Sequence, residues 1–140
     1  MNLTNIYSTV EGIALSKINV NSFYKGSPYT FWQTRSVDYA SVCFTVENVR
    51  NEENTYVMQC LIYFGDRLEN DGSNWLQIQN DAANILPDII NDIRDADGVV
   101  DVYGDWQLEF FNQRMSDYLA GGYVEFQIEV VKDTCEDYSE

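Results

Sequence analysis

Hydrophobic and polar positions alternate most regularly near the C-terminus. Val124, Phe126, Ile128 and Val130 alternate with Tyr123, Glu125, Gln127 and Glu129. A period of two puts the four apolar residues on one face of a strand over Tyr123 to Val131, with the other face half exposed. Two earlier stretches repeat the pattern. From Val37 to Val49, Val42, Phe44 and Val46 alternate with Cys43, Thr45 and Glu47. From Thr55 to Phe64, Tyr56, Met58, Cys60 and Ile62 alternate with Val57, Gln59, Leu61 and Tyr63. Both phases of the second stretch are largely apolar, as in a strand inside a sheet. Asn51 to Asn54 is a polar turn, so the two stretches predict a long antiparallel hairpin.

Helical spacing appears twice. Ile6, Tyr7, Val10, Ile13 and Ala14 mark a helix from about Asn5 to Ser16, with Thr4 as its N-cap. Trp75, Ile78, Ala82, Ile85, Leu86, Ile89, Ile90 and Ile93 recur three and four residues apart. They predict the main amphipathic helix, from Ser73 or Asn74 to about Arg94, with Trp75 on its apolar face. Pro87 lies inside and predicts a kink or a break into two shorter helices. Val99 to Tyr103 and Trp106 to Phe111 read as short strands around Gly104-Asp105. Gln113 to Leu119 reads as a turn, and Gly121-Gly122 as a break. The order predicts an α+β fold: one mainly antiparallel sheet with a long hairpin, covered by two helices. Residues 1–131 form the expected domain, and 132–140 an acidic tail.

Composition narrows the function. The chain has 140 residues, with 8 Lys and Arg against 23 Asp and Glu, a formal charge of −15. That charge excludes the usual mode of nucleic-acid binding, which neutralises phosphates with a basic patch, and argues against anionic membranes. With no His, the commonest general base and metal ligand is missing. Cys43, Cys60 and Cys135 form no CxxC pair and read as free thiols. There is no Walker A loop, GxGxxG or GxSxG. Asp66, Glu69 and Asp71 sit in a short loop, but not at calcium-loop spacing. The loop reads instead as a helix start capped by Asp71, Ser73 or Asn74, with Asp66 and Arg67 paired. No enzymatic activity, cofactor or metal is expected.

Phe23, Tyr24, Tyr29, Phe31 and Trp32 crowd a segment with no clear period. Aromatic loops favour interfaces, so these residues, with the scarce cations Arg35 and Arg50, are candidate contacts with copies or partners.

The string YFGDRLENDGSNWLQIQNDAANILPDIINDI, followed by EFFNQRMSDYLAGGYVEFQIEV and the late Cys135, carries a resemblance. Its ordered marks are Asp66-Arg67-Leu68, Ser73-Asn74, Ile78-Gln79, Phe111 with Arg114, and Ala120-Gly121 before the last strand. Over Tyr39 to Cys135 the chain resembles small tailed-bacteriophage proteins of the tail terminator, tail completion or head–tail connector kind, from phages of Bacteroides-like hosts; a crAss-like phage is one source that fits. The resemblance implies a virion structural protein of the neck or tail, assembled in the host cytoplasm. It would form homo-oligomeric rings of six or twelve subunits, flanked by portal, connector or tail-tube proteins. DNA would pass through the ring without adhering, and no membrane would be involved. Loop tips reach furthest from a sheet, so Glu52, Glu53, Glu69 and Asp71 are the acidic residues expected to face the channel. Two other readings suit the same charge. One is a monomeric acidic binding module, such as a phage-encoded inhibitor or DNA mimic. The other is a small hydrolase using Asp or Glu.

Overall fold

In the computed structural model of the chain, residues 1–26, 38–69, 71–103, 105–114 and 119–132 are described, with backbone alone for 113 and 114. Two helices, α1 (Leu3–Leu15) and α2 (Trp75–Arg94), accompany six strands. The strands are β1 (Ser22–Lys25), β2 (Ser41–Asn51), β3 (Thr55–Arg67), β4 (Val99–Tyr103), β5 (Leu108–Arg114) and β6 (Leu119–Val131). The fold is α+β, as the pattern predicts.

The sheet runs β1-β2-β3-β6-β4, with β5 also paired to β6. The predicted hairpin is β2–β3, antiparallel from Ser41↔Gly65 to Asn51↔Tyr56. Its register shifts between Val46 and Asn48, which makes Glu47 the extra residue of a bulge. Among the described strands, only β1 runs parallel to its neighbour, pairing Ser22–Lys25 with Ser41–Phe44.

The two predicted short strands exist, and both lie along β6. Tyr103 faces Gln127 and Leu108 faces Val124, so four residues intervene on one side against two on the other. The chain thus follows β6 as one interrupted outer strand. Gln79 Nε2 of α2 donates to the Phe111 carbonyl at 3.3 Å, and Arg94 Nη2 donates to the Val102 carbonyl at 3.4 Å. These bonds tie the two ends of α2 to β5 and β4.

Four features differ from expectation. α1 starts earlier, because Asn2 rather than Thr4 is its cap. Asn2 Oδ1 accepts from the Asn5 amide at 2.8 Å, and Asn5 Oδ1 accepts from the Asn2 amide at 3.1 Å, a reciprocal box that satisfies two orphan donors. α2 runs unbroken through Pro87. Its buried stripe of Ile78, Ala82, Ile85, Leu86, Ile89, Ile90 and Ile93 holds both halves against the sheet and offsets the hydrogen bond that proline removes. Gly121-Gly122 do not break the chain but lie inside β6. A Cβ on Gly121 would stand 1.8 Å from the Phe64 carbonyl oxygen, so only glycine permits this approach of β6 to β3. The turn read over Gln113–Leu119 gives way to strand at both ends.

One core joins both helices to one face of the sheet. Val42, Phe44, Met58, Cys60, Ile62, Phe64, Phe126 and Ile128 meet Ile6, Val10 and Ala14 of α1 and the isoleucines of α2. Lys17 bridges the helices, with Nζ 2.9 Å from Asp88 and 2.5 Å from Asp92. The amide of Val46 donates to Tyr7 Oη at 2.9 Å, which ties α1 to the hairpin.

Candidate functional site

Odd-numbered residues of β3 and β6 point away from the core. Among the described residues, no helix covers this second face. Its side chains sort into an aromatic end and a polar end.

At the aromatic end, Cys43, Phe111 and Leu119 are buried beneath Tyr24, Tyr39, Tyr63 and Tyr123. Tyr63 and Tyr123 are register partners across β3 and β6, and their rings stack at 4.9 Å. Phe111 lies 6.3 Å from the Tyr63 ring, and the Arg67 guanidinium stands 5.1 Å from the Tyr39 ring centroid. Such ring pairs and cation–π contacts favour a fixed aromatic surface. Burial pushes the Cys43 thiol up to about 12 and raises that of Cys60 as well, so both stay protonated at neutral pH and are poor nucleophiles.

At the polar end, Arg50, Glu52, Val57, Tyr103, Gln127 and Glu129 line an open cleft of about 420 Å³. Arg50 Nε pairs with Glu52 Oε2 at 2.7 Å. Glu129 accepts from Thr55 Oγ1 at 2.6 Å and from the Tyr103 hydroxyl. These two donors hold its carboxyl below the usual range. Gln127 Nε2 donates to Gln59 Oε1 at 3.0 Å. The arrangement is a web of satisfied pairs. Among the described residues, no cluster of three or more acidic, cysteine or histidine side chains could hold a metal ion.

The predicted site residues scatter. Tyr24 joins the aromatic end, while its neighbour Phe23 packs against the main core. Arg50 sits in the polar cleft. Tyr29, Phe31, Trp32 and Arg35 lie outside the described residues, as does Cys135. Glu52 and Glu53 stand at the hairpin tip, where the Lys132 ammonium donates to both of their carbonyls. Glu69 and Asp71 lie beyond the far end of β3, a strand of 13 residues and so roughly 40 Å long. The four acidic residues therefore form two separate tips. Asp71 accepts from the Ser73 amide at 3.0 Å, which holds its carboxyl low. Asn74 precedes α2 but makes no side-chain cap. Its amide instead clamps the loop, accepting from the Glu69 N–H at 2.8 Å and donating to the Arg67 carbonyl at 3.1 Å. Asp66 takes the Arg67 backbone amide at 2.8 Å.

Sequence reasoning missed Tyr63, Tyr123, Phe111, Tyr103 and Glu129 as a group. A signal was present, since tyrosines fill the nominally polar phase of two strands. What could not be read was that β3 and β6 are neighbours in exact opposition, which brings Tyr63 and Tyr123 together. No family model matches the chain, and no curated protein matches it.

Proposed function

We propose that this protein is a non-enzymatic structural subunit that assembles with its own copies into a ring, of the kind found at the neck or tail of a tailed phage. The observation that carries this reading is the sheet face that no helix covers among the described residues, with its half-buried aromatic cluster. Four tyrosines spread over Cys43, Phe111 and Leu119 make a fixed, amphipathic surface suited to burial by a neighbour. A second, different surface supports it. Beyond the four residues paired with β1, β2 runs on from Thr45 to Asn51 with no strand on that side among the described residues. Two dissimilar surfaces favour head-to-tail association, which gives a ring when the rotation between copies closes.

The ordered marks of the phage resemblance set the proposed place of that ring. A charge of −15 per subunit would keep a channel from holding DNA, since phosphates are repelled. The same charge opposes assembly at low salt.

The test is light-scattering mass across protein concentration and salt, with negative-stain images of the same fractions. Particles of six or twelve subunits, favoured at higher salt, are expected. A monomer at every concentration and salt overturns the self-assembling ring.

A further inference from the structure

The first turn of α2 and strand β5 meet at one corner of the molecule, held together by the bond from Gln79 to the Phe111 carbonyl. Three large apolar side chains stand exposed there: Trp75 at 42%, Leu76 at 62% and Phe110 at 49%. Trp75 belongs to the apolar phase of its helix, yet it is not part of the core. Exposed apolar side chains on two elements that touch offer contact area to a partner.

Beside it lies a feature of opposite character. The interruption between β4 and β5 opens a cleft of about 300 Å³, lined by Asp105, Trp106, Gln107, Glu109, Tyr123 and Glu125. Three carboxylate and two aromatic residues line this space, and among the described residues no Lys or Arg does. β5 joins the two features, because Phe110 and Glu109 are consecutive residues and point to opposite sides of the strand.

We infer that this corner docks a segment of another protein that combines apolar side chains with lysine or arginine. The apolar chains would cover Trp75, Leu76 and Phe110. The cations would meet Glu109 and Glu125 against the rings of Trp106 and Tyr123, where carboxylates and π-faces both attract them. Charge complementarity selects this occupant. A second copy docking through the same corner would set carboxylates against carboxylates, which disfavours it here. The inference does not rest on the ring reading, because it concerns a different partner, although Tyr123 borders both surfaces.

The probe is a synthetic amphipathic lysine–leucine peptide, titrated into the full chain by calorimetry at fixed ionic strength. The native chain is expected to bind it. Leu76→Asp combined with Phe110→Asp should weaken binding at least about tenfold, as should Glu109→Lys combined with Glu125→Lys. Leu76→Ala with Phe110→Ala serves if the aspartates unfold the chain. Glu47→Lys with Asp97→Lys makes the same charge change at exposed positions elsewhere and should stay within about twofold. Three results overturn the proposal: no binding to the native chain, equal weakening by the distant lysines, or equal binding of a leucine-free lysine peptide.

Discussion

The helix-covered face of the sheet is apolar at nearly every position, whereas the other face, which no helix covers among the described residues, mixes tyrosines, glutamines and paired charges with the buried Val57 and Leu61. Phe44, Phe64, Phe126, Met58 and Ile62 on the first face are fully or almost fully buried. On the second, Cys43 and Leu119 are just as inaccessible, and half-buried tyrosines are among the described side chains packed against them. The first face is complete within the chain. The second holds aromatic rings that keep one side towards solvent, with Glu129, Gln127 and Arg50 arranged beside them. The difference separates two tasks of one sheet: one side supplies the stability of the fold, and the other presents a shaped surface at little cost to it.

Truncation tests this division most directly. Phe126→Ala empties part of the covered face and should cost about 3–5 kcal/mol in urea unfolding. Tyr63→Ala, in the middle of the aromatic end, should cost clearly less, because its ring is only partly buried and its stacking with Tyr123 is worth only about 0.5–1.5 kcal/mol beyond the area it buries. Equal losses would make the uncovered face a second core and break the comparison.

Gly121→Ala probes the seam between β3 and β6. The added methyl meets the Phe64 carbonyl oxygen at 1.8 Å, contact with backbone that cannot rotate away. The strands must separate, at a cost of roughly 1–3 kcal/mol. The aromatic end sits on that seam, so near-ultraviolet circular dichroism from the Tyr63–Tyr123 stack should weaken along with stability. Unchanged stability and spectrum would mean the close approach is not needed.

The covered face was legible in the sequence because each element carries its own period. The alternation of Val124 to Val130 and the helical spacing from Ile78 to Ile93 both name residues that are buried in the structure. Trp75 broke the pattern: periodicity gives the direction of a side chain, but not where the opposing layer ends. The parallel pairing of β1 with β2 joins residues about twenty apart in sequence and leaves no local mark. The interruption between β4 and β5 likewise becomes visible only once both strands are set against β6. The uncovered face was unreadable for the same reason. It consists of cross-strand pairs, and each pair depends on register rather than on any one segment.

The smallest expected effect lies at the polar end of that face. Two donors, Thr55 Oγ1 and the Tyr103 hydroxyl, depress the carboxyl of Glu129 below its ordinary value of 4.5. The unfolded chain therefore takes up the proton at higher pH than the folded one. The contribution of Glu129 is fully present above about pH 4.5 and is lost as pH falls through the lower folded value. Glu129→Gln keeps the shape and removes the titration. Urea midpoints measured from about pH 7 down to about pH 3 should fall less steeply for this variant than for the native chain. Asp66 acts in the opposite sense, since burial raises its carboxyl, but it is common to both proteins and cancels in the difference. Parallel acid limbs would mean that the web around Glu129 adds nothing to the fold, leaving the polar end free to be exchanged for other chemistry without disturbing the face that holds the molecule together.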